Sequence, residues 1–345
     1  MRTPQTLSAN AERIDGLDAT HDYLRTFGFF VPEDQREATR AKFPPAVLNF
    51  PPPTQLVKPL ATARLPPETA ADRPVAWFCS PPATLAVEHY NRLVRLLERG
   101  VPVRMEVAIQ TAFYPESAQP NGINTIAEIP GTDLAQEVVI MGAHLDSVPY
   151  ATGATDNATG SSAMMEAVRT IQALGLKPRR TIRVALWGGE EQGLLGSRAY
   201  VAAHYWDAET RTAKPEHARV AAYFNLDNGT GRIRGVWGQS NKGALPILEK
   251  WGEPLKGLGW KMASPRSVAA TDHSSFDEVG LPGFQFIQER LEYNSRSHHS
   301  NMDTFDRVQK ADVEQQGAVA AVFAWQAANW AAKLPRKPMP ARDNP

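Results

Sequence analysis

Between about 120 and 335 the chain alternates short apolar runs with stretches whose apolar residues recur at helical spacing. The runs are NTIAEI at 124–129, EVVIMGAHLDS at 137–147, TIRVALW at 181–187, VAAYFNLD at 220–227 and FQFIQ at 284–288. Helical spacing fills the intervals near 158–175, 191–204 and 241–251, and a long helix begins at about 310. Short buried strands separated by helices predict an α/β fold, a three-layer sandwich in which helices flank a largely parallel mixed sheet. In such sheets ligands sit beyond the carboxyl ends of the strands.

Upstream the texture differs. Eleven of the 28 prolines fall between 44 and 82, so residues 1–84 are expected to be irregular. LAVEHYNRLVRLLERG at 85–100 predicts a helix closed by Gly100, and VPVRMEVAIQTAF at 101–113 alternates like a half-buried strand. The expected organisation is an irregular Pro-rich region at 1–84, a helix-strand connection at 85–118, a catalytic domain at 119–335 and a tail at 336–345.

Composition narrows the function. Lys plus Arg and Asp plus Glu both total 37, so nothing in the charge advertises a nucleic acid or an anionic membrane as partner. The lone Cys79 excludes an internal disulfide framework and a cysteine-rich metal site. The charge-free stretch 315–332 starts on two glutamines and is broken by Gln326 and Asn329, which predicts a packing helix rather than a bilayer span. The polar first residues lack the apolar core of an export signal, and the chain as written is expected in the cytoplasm.

The candidate chemistry lies where the strands end. His144 and Asp146 follow VVIMGA, Glu190 and Glu191 follow TIRVALWGG, and Asp227 follows VAAYFNL. Asp156 stands in the loop ATGATDNATGSS before a helix, and His298 and His299 follow the FQFIQ run. Each fragment alone is an ordinary turn, capped helix or solvated carboxylate pair. From among them come two histidines, three carboxylates and a spare glutamate, the set that two divalent ions sharing a bridging carboxylate require. Cations of that kind would relieve the repulsion between Glu190 and Glu191, leaving one glutamate to bind metal and its neighbour to act as a base.

These segments resemble family 28 of the metallopeptidases, the co-catalytic di-zinc exopeptidases that include bacterial aminopeptidases, carboxypeptidase Q and glutamate carboxypeptidase II. GAHLDS at 142–147, GATDNATG at 153–160, GGEEQGLLGS at 188–197, NLD at 225–227 and HHSNMDT at 298–304 carry the resemblance. It implies a zinc-exopeptidase, phosphorylase/hydrolase-like fold and two zinc ions per chain. His144 and Asp227 would hold one ion, Glu191 and His299 the other, and Asp156 would bridge them. His299 is preferred to His298 because the family places an acidic residue followed by Thr four residues after the ligand, here Asp303-Thr304. Family 20 shares a His-x-Asp opening and a Glu-Glu pair but usually inserts a lid domain, for which the 72 residues from Asp227 to His299 leave little room.

The resemblance further implies a bridging hydroxide that attacks the scissile carbonyl, with Glu190 as general base. Asp146 is expected to support catalysis by accepting a hydrogen bond from the outer nitrogen of His144. His298, Tyr293 and His273 are the candidate oxyanion donors. Arg232, with Arg234 beside it, is a candidate for a substrate carboxylate, and Asp272 with His273 is expected to form a wall of the site. The implied substrates are dipeptides or short peptides with free termini. Alternatives on the same scaffold are a single-zinc glutaminyl cyclase-like acyltransferase and a non-catalytic interaction module. Family members often carry a protease-associated insert, of which 1–84 could be a remnant, and they are usually exported.

Overall fold

The computed structural model describes residues 87–101 and 122–338. Two compact units divide the chain, Met1–Gln119 and Pro120–Pro345. In the first, helix α1 (Val87–Glu98) ends as the sequence predicts: Gly100 takes φ 70°, and the Gly100 and Val101 amides bond back to the Leu97 and Leu96 carbonyls. The expectations of an irregular segment at 1–84 and a strand at 101–113 fall almost wholly outside the described residues.

The second unit is built on a seven-stranded sheet of order β1-β3-β2-β6-β9-β7-β8. Its strands are β1 (Thr125–Ile129), β2 (Leu134–His144), β3 (Arg180–Trp187), β6 (Val220–Asn225), β7 (Ile233–Trp237), β8 (Met262–Ser264) and β9 (Gly283–Gln288). The pairings β3-β2, β2-β6 and β6-β9 are parallel, while β1 and β7 join antiparallel at either side. A two-residue hairpin, β4 (Trp206–Asp207) with β5 (Thr212–Ala213), stands apart. The expected largely parallel mixed sheet is present. β7 and β8 are additions to it, because neither forms an uninterrupted apolar run.

Two helical layers cover the sheet, and the alternation along β2 shows why both are needed. Val139, Met141 and Ala143 face a core shared with α2 (Thr159–Ala173), α4 (Leu245–Gly252) and α6 (Lys310–Asn329). Val138 and Ile140 face the opposite way, onto a core with Tyr200 and Val201 of α3 (Leu195–His204) and Phe276 of α5 (His273–Asp277). A strand with both faces buried reads as a continuous apolar run, as EVVIMGA does. Among the described residues no helix is long and apolar enough to cross a membrane.

The topology also locates the site. From β3, on one side of β2, the chain returns to β6 on the other, so the winding reverses between β2 and β6. Their carboxyl ends, His144 and the turn after Asn225, flank that crevice, where open α/β sheets bind ligands.

A candidate di-metal centre

His144 closes β2 and is almost fully buried, with its imidazole fixed from both sides. Nδ1 lies 2.9 Å from the Asp146 backbone carbonyl and donates to it, which turns Nε2 towards the cluster. Nε2 meets Asp156 Oδ1 at 3.2 Å and Asp227 Oδ1 at 3.1 Å. The Asp146 carboxylate stands farther off than its backbone carbonyl, its nearest oxygen 3.6 Å from Nδ1, with both oxygens turned to the next loop. There they accept the backbone N–H of Glu190 at 3.0 Å and of Glu191 at 3.2 Å.

The Glu190-Glu191 pair sits in a turn between β3 and α3, rather than on a helix starting at 191. Leu194 takes φ 62° and the Leu195 amide bonds to the Gly189 carbonyl, so the helix begins at Leu195. Glu191 Oε2 is 2.9 Å from His299 Nε2, and Oε1 is buried with no hydrogen-bond partner. Asp156 stands in the loop before α2. Gly153 starts that loop at φ 64°, where a Cβ would strike Ser147, and Gly160 lets the first turn of α2 close onto the Leu226 carbonyl. The Asp156-Asn157 peptide is cis.

His298 and His299 stack with ring centroids 3.8 Å apart, yet they face the cluster differently. His299, at φ 52°, reaches Glu191 at 2.9 Å and Asp156 Oδ2 at 3.5 Å, whereas His298 lies 3.8 Å from Asp156. Three sets of donor atoms converge closely enough to share an ion: His144, Glu190 and Asp227; His144, Asp156 and Glu191; and Asp156, His298 and His299. Asp156 belongs to two of them and lies between the histidines.

The electrostatics are those of a site short of positive charge. Burial and the neighbouring Asp227 charge raise the Glu190 carboxyl well above its ordinary range. Burial also raises Glu191, against the hydrogen bond from His299. For Asp156 burial works in the same direction, but the His144 hydrogen bond and the charges of His298, His144 and His299 overcome it and hold the carboxyl well below its usual range. His144 is raised despite burial, chiefly by Asp227. Asp156 Oδ2 and Glu191 Oε1 are buried without a hydrogen-bond partner, as ligand oxygens of a bound cation would be. The donor chemistry fits divalent metal: imidazole and carboxylate oxygens are the ligands that hold zinc.

The remaining candidates are distributed unevenly. Tyr293 is buried beside the His298 ring, and burial followed by the Asp156 charge raises its phenol well above the ordinary value. His273 Nε2 instead pairs with the Val268 carbonyl at 2.8 Å, and His273 enters none of the converging sets. Asp272 is fully buried with both oxygens unpartnered, and burial pushes its carboxyl up to about 7. Arg232 pairs with Asp312 at 2.7 Å and Arg234 with Glu289, so both arginines are engaged by carboxylates of this chain. Sequence reasoning missed the polar relay beneath the site, in which Trp187 Nε1 donates to the Tyr223 hydroxyl at 2.7 Å and that hydroxyl donates to Asn225. Only the unusual Asn at the end of the apolar run VAAYF signals it.

Comparison with known proteins adds to this geometry. The model of peptidase family M28 matches residues 124–324. Carboxypeptidase Q of Homo sapiens is 28% identical over 252 residues, 73% of this chain and 50% of the relative. An aminopeptidase of Bacillus subtilis (strain 168) is 29% identical over 201 residues, 55% of this chain and 41% of the relative. The crystal structure of a peptidase M28 precursor from Shewanella amazonensis SB2B superimposes with a TM-score of 0.55 at 32% identity, covering 64% of this chain and 47% of that one. The chain spans about half the length of the curated relatives it matches.

Proposed function

We propose that this chain, which belongs to peptidase family M28, is a zinc-dependent exopeptidase that cleaves dipeptides or short peptides next to a free terminus. The observation that carries the reading is the convergence of His144, Asp156, Glu191, Asp227 and His299, with a carboxylate common to both halves, around buried oxygens that lack partners. In this reading His144 and Asp227 hold one ion, Glu191 and His299 the other, and Asp156 bridges. The names of the relatives, carboxypeptidase Q and aminopeptidase, support exopeptidase chemistry.

Bound zinc supplies Lewis acidity, polarising a carbonyl and lowering the pKa of water towards 7. Glu190 does the proton work. It is buried beside Asp227 and His144, close enough to a metal position to take a proton from the attacking water and return it to the leaving amine. Asp146 holds the Glu190 and Glu191 backbones, so base and ligand are aimed by one carboxylate. Tyr293, buried beside the His298 ring, is the group here best situated to donate to a developing oxyanion.

The test is Glu190→Gln in the full chain, assayed on a dipeptide panel alongside zinc per chain by elemental mass spectrometry. The expected result is two ions retained and turnover reduced by roughly 10²–10⁴-fold. Undiminished turnover would overturn the assignment of the base, and a wild-type chain that binds no zinc would overturn the metal-dependent reading.

A further inference from the structure

The two halves of the metal centre are built differently. His144 and Asp227 are carried by adjacent parallel strands, and the Leu226 amide continues the β2-β6 ladder to the Gly142 carbonyl at 3.1 Å. Asp156, Glu191 and His299 all stand on loops. Something other than the sheet must bring the Asp156 loop and the His299 loop together, and one residue accounts for most of the contact. Asp303 is 1% exposed, four positions beyond His299. Its Oδ1 accepts the Thr155 backbone N–H at 2.6 Å and its Oδ2 that of Asp156 at 3.1 Å. Its own carbonyl accepts from Thr152, from the amide at 3.2 Å and from Oγ1 at 3.1 Å. A last bond, Thr155 Oγ1 to Ser297 Oγ at 2.8 Å, ties the same two loops on the other flank of the histidines.

We infer that Asp303 is a positioning residue that latches the loop of the bridging Asp156 to the loop of His299, and so assembles one metal position selectively. The inference rests on the di-metal reading above. Two backbone N–H groups need two acceptor oxygens in one plane, which a carboxylate supplies and an amide does not. A carboxylate is costly to bury, and here both of its oxygens accept from backbone N–H groups. A polar loop-to-loop contact would be met more cheaply by Asn or Ser. The carboxylate is explained if fixing the Asp156 backbone, and with it the Oδ2 that lies 3.5 Å from His299 Nε2, is what the position requires. The His144-Asp227 half depends on this latch only through the shared Asp156, because its other two groups are held by the sheet.

Two variants of the full chain test it, Asp303→Asn and the milder Thr152→Val, which removes only a hydroxyl from an exposed threonine. Zinc is titrated against a competing chelator, and amide hydrogen exchange is followed on the metal-free proteins. For Asp303→Asn the ion at Glu191 and His299 is expected to weaken by about 10–100-fold, the range for losing a group that orients a ligand, and the ion at His144 and Asp227, which loses only the shared Asp156, by clearly less. The Thr155 and Asp156 amides should exchange faster while β2 and β6 keep their protection. Thr152→Val should weaken the ion at Glu191 and His299 by a smaller factor. Equal weakening of both ions, or unchanged affinity together with unchanged exchange at Thr155 and Asp156, would overturn the proposal. If the wild type binds fewer than two ions the di-metal reading fails, and the exchange of those two amides in the metal-free protein still decides whether Asp303 holds the loop.

Discussion

The Asp146 carboxylate accepts the backbone N–H of Glu190 through Oδ1 at 3.0 Å and that of Glu191 through Oδ2 at 3.2 Å. One side chain at the end of β2 thus sets the position of both glutamates after β3. Replacing Asp146 by Asn would present an amide nitrogen to one of those donors and displace the turn. Asp146→Asn is therefore expected to lower kcat by about 10–100-fold with little change in KM, measured by steady-state peptide hydrolysis. A kcat within twofold of wild type would remove Asp146 from the machinery.

The stacked histidines give a second contrast. His299 Nε2 is 2.9 Å from Glu191, while His298 is stacked between His299 and Tyr293, with ring centroids 3.8 Å and 4.9 Å away. His299→Ala removes a ligand and should weaken one zinc position beyond the roughly 10–100-fold that loss of an orienting group costs. His298→Ala should stay within that range and show its effect mainly in kcat. Equilibrium zinc titration of both variants checks the pair, and the reverse order would move the ligand by one residue.

How much of this was legible in the sequence follows from what each residue contacts. Strands buried on both faces announce themselves as apolar runs, and the runs ending at His144, Trp187 and Asn225 are the parallel strands that carry the site. β7 is interrupted by Arg234 and Gly235 and β8 has three residues, so neither has a period to detect. The start of α3 is set by positive φ at Gly193 and Leu194, a turn that GLLGS does not distinguish from a first helical turn. Asp303 was visible only as part of a spacing. Its partners are backbone N–H groups 147 and 148 residues away, and backbone donors leave no mark on side-chain identity.

A stability prediction comes from the opposite edge of the sheet. Arg180, 2% exposed at the start of β3, pairs with Glu137 at 2.6 Å and donates to the Trp330 carbonyl at 2.6 Å and that of Ala327 at 3.3 Å. It thereby satisfies orphan carbonyls at the end of α6 and places positive charge at the negative end of its dipole. Arg180→Met should leave those carbonyls without their donor and Glu137 with only Lys333 as a cationic partner. The expected cost is about 3 kcal/mol, or roughly 6–12 °C in Tm for a domain of this size, measured by thermal unfolding of the zinc-loaded protein. A shift under 2 °C would show that the lysine at 333, 3.2 Å from Glu137, replaces it.

His273 carries the pH dependence that is separable from metal binding. It is fully buried, its Nε2 bonds to the Val268 carbonyl at 2.8 Å, and burial pushes its pKa down from 6.5 to about 4. The folded-state value is depressed, so between about 6.5 and 4 the unfolded chain binds a proton that the folded chain does not. Stability attributable to this imidazole is therefore complete above pH 6.5 and falls as the pH drops towards 4, by about 2 kcal/mol between pH 7 and pH 5. His273→Gln retains a donor for Val268 and cannot titrate. In the metal-free protein, where acid cannot act by releasing zinc, urea unfolding at the two pH values should show a loss smaller by that amount in the variant. Equal losses in variant and wild type would mean that the His273 imidazole becomes protonated without unfolding its surroundings.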